Sequence, residues 1–82
     1  MNITIEKTVG GFYAGSVPVT EPECDIARSI SKYPLRHGAT VAGTSYDRES
    51  DQYSLSLQAK TREEVAPLLE DWIREIRLQQ EN

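Results

Sequence analysis

Between Thr61 and Leu78 the chain reads TREEVAPLLEDWIREIRL. Val65, Leu68, Leu69, Trp72, Ile73 and Ile76 recur at i, i+3, i+4, i+7, i+8 and i+11, the spacing of a helix with one apolar stripe. Arg62, Glu63, Glu70, Asp71, Arg74, Glu75 and Arg77 fall mostly off that stripe. Thr61 and Glu64 stand at capping-box spacing. Glu70 and Arg74 form an i,i+4 pair in the favourable order. Pro67 conflicts with the pattern, because past the first turn it removes a backbone bond and crowds the carbonyl four residues back. The spacing predicts a kink there, the other arrangement being a regular helix that starts near Ala66. Burying six such side chains, at roughly 1.5–3 kcal/mol each, demands a broad apolar surface for the helix to cover, with Trp72 as the anchor.

The remaining segments supply that surface. Asn2–Thr8 alternates, with Ile3 and Ile5 on one face of a strand. Gly10-Gly11 reads as a two-residue hairpin turn, and Phe12–Val19 returns as a second strand. Pro18 cannot donate to a ladder and places that stretch at a strand end or sheet edge. Thr20-Glu21-Pro22-Glu23 repeats the capping-box spacing and opens a helix over Glu21–Tyr33, with Ile26, Ala27 and Ile30 on its buried side and Pro34 stopping it. Leu35–Gly38 reads as a loop, Ala39–Tyr46 as a third strand and Asp47–Gln52 as a polar turn. Tyr53–Lys60 is a fourth strand, Tyr53, Leu55, Leu57 and Ala59 alternating with Ser54, Ser56, Gln58 and Lys60. Gln79–Asn82 is expected to fray. The elements predict an α+β fold of order ββαββα: a four-stranded antiparallel sheet with two helices on one face, as a single domain spanning 1–82. Tyr13-x-x-Ser16-Val17 before Thr20-x-x-Glu23 resembles Tyr53-x-x-Ser56-Leu57 before Thr61-x-x-Glu64, the pattern of a repeated hairpin–helix unit.

A net charge of −4 over 82 residues argues against general nucleic-acid binding, which needs positive potential. The one cysteine, Cys24, excludes an internal disulfide and suits a reducing cytoplasm. It stands in the first turn of its helix among Glu21, Glu23 and Asp25, and reads as a plain helix residue. No apolar run is long enough for a signal peptide or a membrane span. Catalytic or metal-binding constellations are not visible, nor is a phosphate-cradling glycine motif, so the expectation is no enzyme, no cofactor and no metal. Charge is nevertheless sorted. From Ile26 to Tyr46 there is no acid, while Arg28, Lys32, Arg36 and His37 supply positive charge. Arg28, Lys32 and Arg36, four apart, line one ridge, and Tyr33 lies among them. These residues are the candidate partner-binding site, for an acidic protein or, less well, for nucleic acid with Tyr33 stacked on a base.

ITIEK and VGGFYAGSVP resemble the opening of HicB-type antitoxins: a strand ending in an acidic and basic pair, a Gly-rich turn, and a strand reading roughly aromatic-small-x-x-Val-Pro. SLQAKTREEVAPLLEDWI is similar to the strand and helix that follow in that family. The resemblance covers about half of the chain. Glu21–Asp51 lies between parts that are nearly adjacent in the family, and the family's Leu-Pro-Gly-Cys segment does not follow Pro18. The resemblance implies an inhibitor or antitoxin-like factor of bacterial or phage origin that acts by binding another protein. A homodimer is expected through the sheet face that two helices leave uncovered, the face of Ser54, Ser56 and Gln58, with Phe12 and Tyr46 nearby.

Overall fold

The computed structural model of the chain describes residues 2–81. At the centre is β4 (Gln52–Ala59), where the alternation is cleanest: Leu55, Leu57 and Ala59 are buried, and Ser54, Ser56 and Gln58 on the other side are partly exposed. β4 pairs with β2 (Tyr13–Val19) on one side and β3 (Val41–Asp47) on the other, and β1 (Thr4–Lys7) joins the far side of β2. The order is β1-β2-β4-β3, and all neighbours are antiparallel. Val17 lies opposite Leu55 and Gly15 opposite Leu57, so the apolar sides of the two central strands coincide. On that side pack α1 (Glu21–Ser29), α2 (Lys32–Arg36) and α3 (Arg62–Gln80), and the molecule is 20 Å thick along its shortest axis, the depth of one sheet and one helix layer. Among the described residues no helix is long and apolar enough to cross a membrane.

The fold is α+β as expected, with one helix more. The segment read as a single helix over Glu21–Tyr33 is two. α1 ends at Ile30, whose φ of −120° and ψ of 32° leave the helical region. The Ser29 hydroxyl donates to the Ile26 carbonyl at 2.7 Å, competing for the backbone acceptors of that last turn. α2 follows after Ser31, and Pro34 lies in its first turn, where no backbone N–H is needed. Pro34 therefore belongs to a helix instead of stopping one, and Leu35 and Arg36 are helical where a loop was read.

The two capping patterns behave differently. At α1 the Glu23 carboxylate accepts from the Thr20 N–H at 2.8 Å, and the Thr20 hydroxyl accepts from the Glu23 N–H at 3.3 Å. At α3 the Thr61 hydroxyl donates to the Glu64 carboxylate at 2.7 Å and does not cap the backbone. α3 runs unbroken across Pro67, which is exposed, while Val65 before it is buried, so the stripe begins where its spacing placed it. Arg74 pairs with Asp71 at 3.1 Å instead of with Glu70. The helix continues through Gln80, so Gln79 and Gln80 are helical where fraying was expected; Asn82 lies outside the described residues.

All six stripe residues of α3 are buried, and they share one core with Val17, Ala27, Leu55, Leu57 and Ala59. Cys24 is also buried. Ile3, Ile5, Ile26 and Ile30 pack against this core from its edges. Gly15 lets α3 approach β2 closely: a Cβ there would overlap Val65 Cγ1 and stand 3.0 Å from Leu69 Cδ1. The Trp72 indole Nε1 is buried without a hydrogen-bond partner.

The first hairpin closes through three residues, Val9–Gly11, and not through a two-residue Gly-Gly turn. The Thr8 N–H donates to the Phe12 carbonyl at 2.7 Å and the Gly11 N–H to the Thr8 carbonyl at 3.1 Å. Gly11 has φ +88°, the left-handed conformation that closes such loops. Pro18 is tolerated inside β2 because β1 ends opposite Ser16, which leaves Pro18 a strand neighbour on one side only. Ser16 faces Ser56, and residues forty apart exchange places about that point, Gly15 facing Leu57 and Val17 facing Leu55. The two stretches of similar sequence thus pair with each other, antiparallel, as β2 and β4.

Candidate functional site

Arg28, Lys32 and Arg36 do not form a ridge on one helix, because the chain breaks between α1 and α2. Their spacing survives the break. All three line one open cleft of about 560 Å³, together with Ser29, Ile30, Ser31 and Tyr33 on the same stretch and Glu75 and Gln79 across from them on α3. Glu75 and Gln79 are four apart and belong to the polar side of α3, a pairing across the fold that no local pattern announces.

The cations differ in what holds them. Arg28 is turned toward the sheet: its Nε donates to the Thr44 hydroxyl at 3.3 Å and its Nη1 to the Asp25 carboxylate at 3.3 Å. Lys32 and Arg36 have no side-chain hydrogen bond or ion pair among the described residues. They stand one turn apart on α2, both exposed.

Tyr33 is already engaged. Its hydroxyl donates to Asp71 at 3.1 Å, and its ring lies 4.4 Å from that of His37, tilted by 34°. Desolvation raises the Tyr33 pKa, and the hydrogen bond to Asp71 adds to the shift. The base-stacking role considered for Tyr33 therefore meets a ring held between α2 and α3. His37 separates from the other candidates. It lines a different, shallower depression with Pro67, Leu68, Glu70, Asp71 and Arg74 of α3. Its Nδ1 lies 2.8 Å from the Tyr33 carbonyl. A carbonyl only accepts, so in the neutral ring Nδ1 carries the proton.

The uncovered sheet face carries Thr4, Glu6, Ala14, Ser16, Pro18, Val41, Gly43, Ser45, Ser54, Ser56 and Gln58, as the strand registers require. Tyr46, expected on this face, is on the other. It pairs with Tyr53 across β3 and β4, with ring centroids 4.6 Å apart, on the side of the helices. The open face is small and polar at its centre, with the exposed Val41 and Pro18 toward its margins.

Tyr46 donates to Asp51 at 2.6 Å, and this hydrogen bond, helped by desolvation, pushes its pKa up to about 12. Tyr53 is raised by desolvation and by the charges of Glu21 and Asp51. Because the folded pKa of Tyr46 lies above the ordinary 10.0, its contribution to stability is complete below that value and is lost as the pH rises through about 12. Absorbance titration of tyrosinate should show this late step. Asp51→Asn should move it down toward the ordinary value, because Asn keeps the positive φ of 53° but not the charge. A titration unchanged by that substitution would remove Asp51 as the cause.

Among the described residues no group of three or more His, Cys, Asp or Glu side chains is placed to hold a metal ion. Comparison of the chain with models of protein families, with curated proteins and with solved structures finds no match.

Proposed function

We propose that this is a small non-enzymatic module that works by binding another protein, and that Lys32 and Arg36 receive an acidic segment of that partner. The observation that carries this reading is the pair of cations itself: one turn apart, exposed, without an internal counterion among the described residues, and at an open cleft. Ile30 and Tyr33 add apolar surface beside them. A carboxylate can take two parallel hydrogen bonds from the Arg36 guanidinium, and a second carboxylate one turn away meets Lys32. The sole thiol is buried, which removes the one cysteine as an exposed nucleophile. A small acidic inhibitor or antitoxin-like factor of bacterial or phage origin fits this description, in keeping with the HicB-like stretches.

Nucleic acid is the poorer match for the 28–37 stretch. The net charge is −4, Arg28 is committed to Asp25 and Thr44, and Tyr33 is held by Asp71 and His37. The test is capture from native lysate with the tagged chain at low and moderate salt. The variant Lys32→Glu with Arg36→Glu should weaken recovery of the partner by at least about tenfold, since each lost charged hydrogen bond is worth about 1.5–3 kcal/mol. Undiminished capture by that variant would take the cleft out of the function. Captured material that is removed by nuclease and falls steeply with salt would put nucleic acid there instead.

A further inference from the structure

We infer that the segment received by the cleft is of mixed charge: beside the carboxylates that meet Lys32 and Arg36 it carries a lysine or arginine, which pairs with Glu75 on the opposite wall. The inference rests on the reading of the cleft as the site for a partner's acidic segment, and adds a second determinant to it.

Glu75 is the odd charge of its stretch of helix. Along α3 from Asp71 to Arg77 the other charged side chains are matched. Arg74 lies 3.1 Å from Asp71, Asp71 also accepts from the Tyr33 hydroxyl at 3.1 Å, and Arg77 lies 3.7 Å from Glu23. Glu75 is partly buried, yet it has no ion pair and no side-chain hydrogen bond among the described residues. Desolvation and Asp71 do most to raise the Tyr33 pKa, and the charge of Glu75 adds to them, so this carboxylate stands near the ring that lines the cleft.

The cleft therefore holds both signs of charge apart. Lys32 and Arg36 stand unpaired on α2 and Glu75 unpaired on α3, with open space of about 560 Å³ between the walls. While water fills that space the three charges are screened and their separation costs little. A partner that displaces the water removes the screening. Its carboxylates then compensate Lys32 and Arg36, but a segment of acids alone leaves Glu75 without a cation and sets like charge before it. A segment that also turns a cation toward α3 compensates all three groups. Glu75 thus acts on specificity: it admits a segment of mixed charge and turns away one of uniform negative charge, a nucleic-acid backbone included. Gln79, one turn further along α3, offers its side-chain carbonyl to the same cation.

Fluorescence anisotropy with two labelled synthetic peptides tests this, with circular dichroism as the check of folding. One is an alanine-based helical peptide whose charged residues are all glutamate, and the other is the same peptide with alternate glutamates replaced by lysine. The parent chain should bind the mixed peptide at least about tenfold more tightly than the acidic one. Glu75→Gln should bring the two affinities to within about threefold of each other, and Glu75→Lys should invert the preference. Glu70→Lys makes the same change of net charge outside the cleft and should leave the preference as in the parent. Lys32→Gln with Arg36→Gln should weaken the mixed peptide by at least about tenfold. Binding that depends on Lys32 and Arg36, but with a preference that the Glu75 variants do not move or that Glu70→Lys moves equally, overturns the inference and keeps the reading of the cleft. Binding of neither peptide, or mixed-peptide binding that survives Lys32→Gln with Arg36→Gln, overturns both.

Discussion

Replacing Trp72 with alanine is expected to cost about 3–5 kcal/mol of folding stability, as for other buried aromatics. Domains of this size are stable by roughly 5–15 kcal/mol, so a loss of that order brings the fold near its limit. The reason is position. Trp72 lies in the middle of the α3 stripe, fully buried, with Leu68, Leu69, Ile73 and Ile76 around it and the apolar side of the sheet beneath. Its removal leaves the largest void a single truncation can make in this core. Trp72→Phe should cost much less: it keeps part of the ring and deletes the indole N–H, which is buried without a partner, a condition that itself costs about 1–3 kcal/mol. Urea unfolding decides both. An alanine variant within error of the parent would mean that the stripe does not face the core.

The opposite perturbation is expected at Gly15. Gly15→Ala adds one methyl where Val65 already lies, 3.0 Å from Leu69 Cδ1, and both side chains are fully buried. Neither neighbour can swing into solvent, so α3 has to lift from β2. Overpacking of this kind costs about 1–3 kcal/mol, and Gly15→Val should cost more. Val65→Ala alone should also destabilise, through the cavity it leaves. Combined with Gly15→Ala it should cost less than the sum of the two, because the new methyl enters the space that Val65 vacates. Additive losses in that cycle would show that α3 does not rest on β2 at Gly15. The two predictions probe one interface from opposite directions, by emptying it and by overfilling it.

The candidate site was partly legible in the chain. The run free of acid from Ile26 to Tyr46 and the four-residue spacing of Arg28, Lys32 and Arg36 pointed to one surface, and they do line one cleft. That spacing did not require a continuous helix. It was kept because the bend after Ile30 is short and α2 resumes with Lys32 in its first turn. What the local pattern missed lies at long range. Asp71 holds the Tyr33 hydroxyl, Thr44 draws Arg28 toward the sheet, and Glu75 and Gln79 form the opposite wall. No periodicity connects residues so far apart in the chain. His37 was grouped with the basic residues by proximity in sequence, but it turns to the α3 side, where its ring nitrogen meets the carbonyl of Tyr33.

By itself the sequence determined which side of β4 and of α3 is buried. Alternation in Tyr53–Ala59 and the stripe from Val65 to Ile76 are local consequences of strand and helix periods, and they hold whatever the elements pack against. It also marked both helix starts at Thr20 and Thr61, because the signal for a start lies in a few neighbouring residues, although only the Thr20 side chain caps the backbone. Tertiary structure decided the rest. The order β1-β2-β4-β3 follows from pairing β2 with β4, whose partners are brought together only when their apolar faces are covered by α3 at once. That same pairing turned Gly15 into a contact point, moved Tyr46 to the helix side of the sheet, and left β3 rather than β2 at the edge. Each of these depends on which distant segments meet, and the strength of a meeting is set by shape and area on both surfaces, which no single stretch of the chain contains.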